Sequence, residues 1–403
     1  MNRENNGQSI KTIFRKRALV WMVAVIALHL LEGCRSDDQR APSLPPTPAA
    51  GAPVTSGAAP VSYAEVVNRV APAVVTIRSE RRVRAPRQHP FFDDPLFRDF
   101  FGDGSSQPAP REQIQLGLGS GVIITAAEAY GYVVTNHHVV DGAEEIKVEL
   151  VNNRVYEAKV VGLDPRSDLA VLKIIASDLA LLTLGDSDSV RVGDVVLAVG
   201  NPLGVGQTVT AGIISAKGRT TGLSDGSFES FLQTDAPINQ GNSGGALVNT
   251  VGELVGINSQ ILTPTGGNIG IGFAIPANMA RNVAEQLIKS GKVRRGYLGV
   301  TIQPVTSEIA SRLGLKEARG AIVGAVEKGS PAERAGLKQG DVIIAFPGNQ
   351  IVDGNSLRNL VASAGPGAEV TLTVLREGRE QQLRATLDEL SNESGRGGAP
   401  SSK

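Results

Sequence analysis

From Leu116 to Ala274, apolar residues recur in short runs separated by Gly, Asn and Asp: GVIITA, GYVVTN, EIKVELV, VYEAKVVGL, LAVLKI, VVLAVG, TVTAGIISA, SFLQTD, LVGINSQIL and GIGFAIP. Runs of this length, rich in β-branched residues and bounded by turn residues, predict strands, and their regular succession predicts an all-β sandwich or barrel. No sequence repeat with a period of roughly 20–50 residues is present, which disfavours a solenoid or propeller.

Upstream, Ser62-x-x-Glu65 has the spacing of a capping box, so SYAEVVNRV predicts a short helix that Pro72 ends, and AVVTIRSE predicts the first strand. Residues 81–112 lose the pattern. They are basic, then Phe-rich (HPFFDDPLFRDFFGDG), then Gly/Ser/Pro-rich, and predict a loop. Downstream, residues 276–291 switch to helical spacing, with Met279, Val283 and Leu287 on one face between Pro276 and Gly291. Residues 294–389 carry YLGV (297–300), the turn SPAERAG, a helix pattern in NSLRNLVASAG and a hairpin pattern in EVTLTVLREGREQQLRATL. In SPAERAG, Ser330 suits the helix cap, Pro331 the first helical position, Glu333 the capping box and Gly336 the end.

The N-terminal stretch follows another logic. KTIFRKR is basic, and residues 18–31 (ALVWMVAVIALHLL) are apolar. Fourteen residues span about 21 Å as a helix, less than the ~30 Å hydrocarbon core, which suits the core of a signal peptide. Cys34 stands where a lipoprotein signal places its modified cysteine, although Glu32 fits that motif poorly. Lipid anchoring at Cys34, an uncleaved signal anchor and ordinary cleavage stay open; in each, the basic flank remains cytoplasmic and the rest crosses the membrane. Residues 35–61 are rich in Pro, Ala, Ser and Gly and predict an extended spacer, and the tail 391–403 predicts disorder.

A length of 403 residues leaves room for two or three domains. Forty basic and forty acidic residues balance, so nothing points to nucleic acid or a broad anionic partner. One cysteine excludes an intrachain disulfide, and four histidines with that cysteine are too few and wrongly spaced for a metallo-enzyme. No metal or organic cofactor is implied.

The chemistry concentrates at GNSGG. Ser243 between glycines, after a polar run and before ALV, predicts a sharp turn whose backbone N–H groups converge on one spot, suited to the oxygen of a tetrahedral intermediate. A serine nucleophile needs a base. His29 lies in the apolar leader and His89 in the predicted loop, which leaves His137 and His138 at the end of the strand YVV. The carboxylate to orient the imidazole is Asp168 in DPRSDLAVLKI, with Asp164 as its local rival.

The chain order is His, Asp, Ser. TNHHVV, DPRSDLAVLKI, GNPLG (200–204), TDAPINQGNSGGALVN and NIGIGFAIP together resemble the HtrA (Deg) family of trypsin-like serine proteases, over roughly residues 62–390. The resemblance implies two six-stranded barrels with the catalytic residues between them, followed by a PDZ domain: a protease domain over 62–292 and a PDZ domain over 293–390, after a signal or anchor at 1–34. It makes His138 the base, with His137 a neighbour, Asp168 its partner and Ser243 the nucleophile. It places the oxyanion hole at the amides of Gly241 and Ser243, with Asn242 beside them. Tyr297, Leu298, Gly299 and Val300 become the loop that receives a peptide's C-terminal carboxylate, against the helix 355–364. The Phe-rich insertion becomes a regulatory or oligomer contact. Pro237, six residues before the nucleophile, falls at the base of the S1 pocket, and Asn242 replaces the aspartate with which trypsin pairs a new N-terminus. The implied protein is a homotrimeric, envelope-facing endopeptidase acting on misfolded or membrane-bound signalling proteins. The rival function is a chaperone or PDZ sensor with an idle protease domain, which the intact His, Asp and Ser disfavour.

Overall fold

The computed structural model describes residues 62–391 apart from 85–111, 202–205, 222–226, 240, 262–268, 314 and 316. Strands β1 (Val74–Arg84), β2 (Glu112–Ala127), β3 (Tyr130–Thr135), β4 (Glu145–Glu149), β5 (Val155–Asp164) and β6 (Leu169–Ile174) close into an antiparallel barrel in the order β1-β2-β3-β6-β5-β4. Strands β7 (Val195–Gly200), β8 (Thr208–Arg219), β9 (Phe231–Thr234), β10 (Ala246–Asn249), β11 (Leu254–Ile261) and β12 (Gly272–Pro276) close a second one in the order β10-β11-β12-β9-β8-β7. This is the double-barrel architecture expected from the strand pattern together with the resemblance.

The apolar runs are uninterrupted because both faces of several strands are buried. In β6, Ala170, Leu172 and Ile174 fill the first barrel beside Ile77, Ile123 and Val148. The alternate residues Leu169 and Val171 face outward into a second core shared with Leu197, Val199, Ala246, Val248 and Ile257 of the other barrel. β7 repeats the arrangement, with Val196 and Ala198 inside its own barrel. The two barrels therefore meet through an apolar seam.

Helix α1 (Ala64–Val70) precedes β1, and a single turn, α2 (His137–Val140), follows β3. Helix α3 (Ala277–Ser290) buries Ala280, Val283, Ala284 and Leu287 against the seam and ends at Gly291 with φ of 72°. Two expectations are corrected. The capping box at Ser62 does not form: Tyr63 is the N-cap without a side-chain bond, and the Ser62 hydroxyl accepts from Ala64 N at 3.1 Å. Residues 81–112 are not loop at their ends, because β1 continues to Arg84 and pairs from Arg81↔Gln115 to Arg84↔Glu112. The Phe-rich middle of that segment lies outside the described residues.

The C-terminal segment forms a separate sheet. β13 (Gly296–Tyr297) leads to β14 (Val300–Pro304), helix α4 (Ser307–Arg312), β15 (Ala321–Val326), α5 (Pro331–Arg334), β16 (Val342–Phe346) and β17 (Asn349–Gln350). Helix α6 (Gly354–Ala364), β18 (Glu369–Arg376), β19 (Arg379–Thr386) and β20 (Asp388–Glu389) complete it. The main sheet runs β14-β15-β16-β18-β19, so β14 is an edge strand. Ser330 caps α5 as expected by accepting from Glu333 N, but the Glu333 carboxylate takes the amide of Gly329, not that of Ser330.

Candidate active site

Strand β3 ends at the buried Thr135, buried Asn136 is the N-cap, and the chain then turns once as α2, which presents His137 and His138. The turn between β5 and β6 carries Asp168, whose φ of 55° lies in the left-handed region and aims its side chain at that helical turn. The Asp168 carbonyl is clamped by Asn136 Nδ2 at 3.0 Å and His137 N at 3.1 Å. Its carboxylate accepts from His138 N at 3.0 Å and lies 2.8 and 3.0 Å from His138 Nδ1. A carboxylate with only acceptors to offer requires the proton on Nδ1, which leaves Nε2 with its lone pair.

Asp164, four residues earlier, is taken elsewhere. Its buried carboxylate meets the guanidinium of Arg295 at 3.0 and 2.5 Å and accepts from the Ser167 hydroxyl. Between the two sequence candidates, the structure brings only Asp168 to the imidazole. His137, the neighbouring histidine, sits 3.5 Å from Asp141 through its Nε2.

Ser243 lies in the turn before β10. Gly244 follows it with φ of +83°, and a Cβ there would stand 2.1 Å from Ser120 O and 2.3 Å from Thr135 Oγ1, so only glycine fits. The Ser243 hydroxyl donates to the Ser259 carbonyl at 2.8 Å, while the Ser259 hydroxyl donates to Asp168 Oδ2 at 3.0 Å. Ser259 therefore links the serine to the carboxylate from β11. Sequence reasoning missed it: it sits inside the strand run LVGINSQIL, and neither spacing nor flanking residues mark it. Gly241 and Asn242 are buried at the same turn, and Gly241 has φ of 99°.

Among the loop residues 297–300, Gly299 has φ of +79°, and a Cβ there would lie 2.2 Å from Ser330 Cβ. Leu298 O accepts from Ala332 N at 2.9 Å and Gly299 O from Glu327 N at 3.0 Å. In a planar trans peptide the N–H points opposite the carbonyl, so the Gly299 amide faces away from α5 and the Val300 amide away from Glu327. Beside them, Val300, Ile302 and Leu360 are half-buried on a core of Leu298, Leu357 and Val361, between the free edge of β14 and α6. Tyr297 donates to Glu327, and burial, with that carboxylate's help, pushes its phenol up to about 12.

Residues 119–257 match the trypsin-like peptidase domain family, and residues 296–387 match the PDZ domain family. The periplasmic pH-dependent serine endoprotease DegQ of Escherichia coli K12 is 45% identical over 335 residues, covering 83% of this chain and 71% of DegQ. The periplasmic serine endoprotease DegP of Salmonella typhimurium LT2 is 46% identical over 348 residues, covering 82% of this chain and 73% of DegP. The chain belongs to the HtrA family. A solved HtrA-type protease, AlgW with a decapeptide, is 47% identical with a TM-score of 0.62, over 82% of this chain and 99% of AlgW. This protein is thus an HtrA-type serine endoprotease with a trypsin-like double barrel and one PDZ domain.

In this HtrA protein the PDZ domain rests on the protease next to the site. Besides the Arg295–Asp164 pair, Asn355 and Asn359 of α6 each donate through Nδ2 to Glu229 O at 2.7 Å. The Phe228 ring lies beneath two guanidinium groups, 4.5 Å from Arg295 and 4.6 Å from Arg358.

Proposed function

We propose that His138, Asp168 and Ser243 hydrolyse peptide bonds as a triad. His138 Nε2 takes the proton of Ser243 as Oγ attacks the carbonyl carbon, returns it to the leaving amine, and repeats the cycle with water. The amides of Gly241 and Ser243, beside Asn242, stabilise the oxyanion. The observation that carries this is the seating of the Asp168 carboxylate on His138 Nδ1 at 2.8 Å. The Ser243 hydroxyl donates to Ser259 O, so its proton must be redirected to Nε2 before attack.

On this reading the protease domain occupies 62–292 and the PDZ domain 293–390, whose Tyr297–Val300 loop receives a C-terminal carboxylate while the peptide adds to β14. Substrates are unfolded or membrane-bound envelope proteins, the working unit is a homotrimer, and the location is the periplasm. Residues 1–34 act as signal or anchor, with Cys34 the lipidation candidate. They lie outside the described residues. The test is digestion of an unfolded protein such as casein with and without Ser243→Ala. Loss of cleavage with folding intact supports the assignment; full cleavage by the variant sinks it, and an inactive parent protein would favour the chaperone.

A further inference from the structure

Ser120 of β2 is fully buried where the first barrel touches the nucleophile turn of the second. Its amide donates to Ser243 O at 2.7 Å, and its hydroxyl donates to Gly241 O at 2.7 Å. The hydroxyl in turn accepts from Asn201 N at 3.0 Å, and its own carbonyl accepts from Thr135 Oγ1 at 2.7 Å. A serine hydroxyl has one proton, and the Asn201 amide is an obligate donor, so the Ser120 proton is committed to Gly241. Asn201 is held from three sides. Its Nδ2 donates to Thr76 Oγ1 at 2.7 Å, its Oδ1 accepts from Gly206 N at 2.9 Å, and it follows directly on β7.

We propose that Ser120 is a positioning residue for the oxyanion hole, relaying the Asn201 loop to the nucleophile turn. This rests on the assignment of Gly241 and Ser243 above. Each oxyanion amide is followed by one peptide plane, and Ser120 anchors both planes, at Gly241 O and at Ser243 O. The side chain between them gives little help: Asn242 Oδ1 is buried without a hydrogen-bond partner among the described residues. With the hydroxyl removed, Gly241 O and Asn201 N would both lose a buried partner, and the glycine at positive φ would be free to turn its peptide. The amides would then no longer be set for an oxygen that gains charge only in the transition state, so kcat should suffer and ground-state binding should not.

The experiment compares Ser120→Ala, Ser120→Cys and Ser243→Ala in the full chain, using a fluorogenic peptide and a peptide boronate that forms a tetrahedral adduct with the serine. For Ser120→Ala, kcat should fall about tenfold to a hundredfold, less than the 10²–10³ lost with an oxyanion donor itself, with KM within about twofold. Boronate affinity should fall in parallel, and Ser120→Cys, which keeps a weaker donor on a larger atom, should lie between. Placing Ser120→Ala in the Ser243→Ala protein should leave peptide affinity unchanged. If Ser120→Ala does not fold, the Cys variant carries the same comparison. Unchanged kcat and boronate affinity, or a loss seen wholly in KM, would overturn the proposal. An active Ser243→Ala protein would instead overturn the assignment beneath it.

Discussion

Arg295, at the entry to the PDZ domain, pairs through both terminal nitrogens with Asp164, 131 residues earlier, in the same tight turn that presents Asp168. The two side chains are 9% and 6% exposed. That turn is closed by Ser167 N on Asp164 O and Asp168 N on Pro165 O, and Phe228 N reaches Arg166 O at 2.7 Å, so the PDZ entry is anchored, through Asp164, on the turn that presents Asp168.

Removing one partner of a buried pair strands the other. Asp164→Asn should destabilise the folded protein by about 3–5 kcal/mol, read as a lower urea midpoint, whereas Asp164→Asn with Arg295→Met should recover part of the loss. Equal midpoints for parent and Asp164→Asn would refute the importance of the pair.

Asp168→Asn keeps the shape but no longer requires the proton on His138 Nδ1. Turnover should fall by up to ~10⁴-fold in the worked serine-protease template, with folding preserved. Steady-state hydrolysis of a peptide substrate measures it, and loss of less than about tenfold would mean that another group orients the imidazole.

If the Tyr297–Val300 loop receives a carboxylate as proposed, the PDZ domain should require a free peptide terminus. A peptide with an apolar C-terminal residue should bind, and its amide should bind at least about tenfold more weakly, because a charge-assisted contact to Gly299 and Val300 is lost. Fluorescence anisotropy of the two peptides decides it; equal affinities would place the terminus elsewhere.

Tyr297 is held neutral by burial and by Glu327, with its phenol at about 12. A folded-state value above the ordinary one means that this group's stabilisation is complete below about pH 10 and is lost as pH rises towards about 12. Tyr297 should ionise late in an ultraviolet titration, and Tyr297→Phe should remove that phase. A late phase that persists in Tyr297→Phe would contradict the assignment.

Cleavage should favour aliphatic P1 residues over Lys and Arg. The acid nearest to Pro237 in the sequence is Asp235, and its Oδ1 accepts from Ile213 N at 2.7 Å, while Ile238 is buried in the barrel core. If Pro237 forms the base of the S1 pocket, a cationic side chain there has no carboxylate at that position to pair with, and kcat/KM should be about tenfold or more lower than for Val. Fluorogenic peptides differing only at P1 report this, and strong preference for Arg would be incompatible with it.

Much of the fold was legible because burial on both faces of β6 and β7 leaves uninterrupted apolar runs. The arms of β1 and β2 were not. RRVR (81–84) and EQIQ (112–115) hold one apolar residue each, too few to register in the pattern, and backbone pairing from Arg81↔Gln115 to Arg84↔Glu112 makes them strands, with a side-chain bond from Arg81 Nε to Gln115 Oε1 at 2.9 Å. The cap at Ser62 was misread because spacing cannot say which residue leaves helical geometry first. The left-handed φ of Asp168 carries no sequence mark, since aspartate is common in ordinary turns.

By itself the sequence determined the strand succession, the glycines that let the chain turn around Ser243, and the order His138, Asp168, Ser243. Only the tertiary structure decided which carboxylate serves the imidazole, sending Asp168 to His138 and Asp164 to Arg295. It alone brought in Ser259 and Ser120, and it alone turned the Ser243 hydroxyl to Ser259 O. The reason is that a hydrogen bond asks for an approach near 3 Å in a given direction. Between residues 91 or 121 positions apart that approach is set by how two closed barrels meet, and between Ser243 and Ser259 by how β10 lies on β11, which no local pattern of residues encodes.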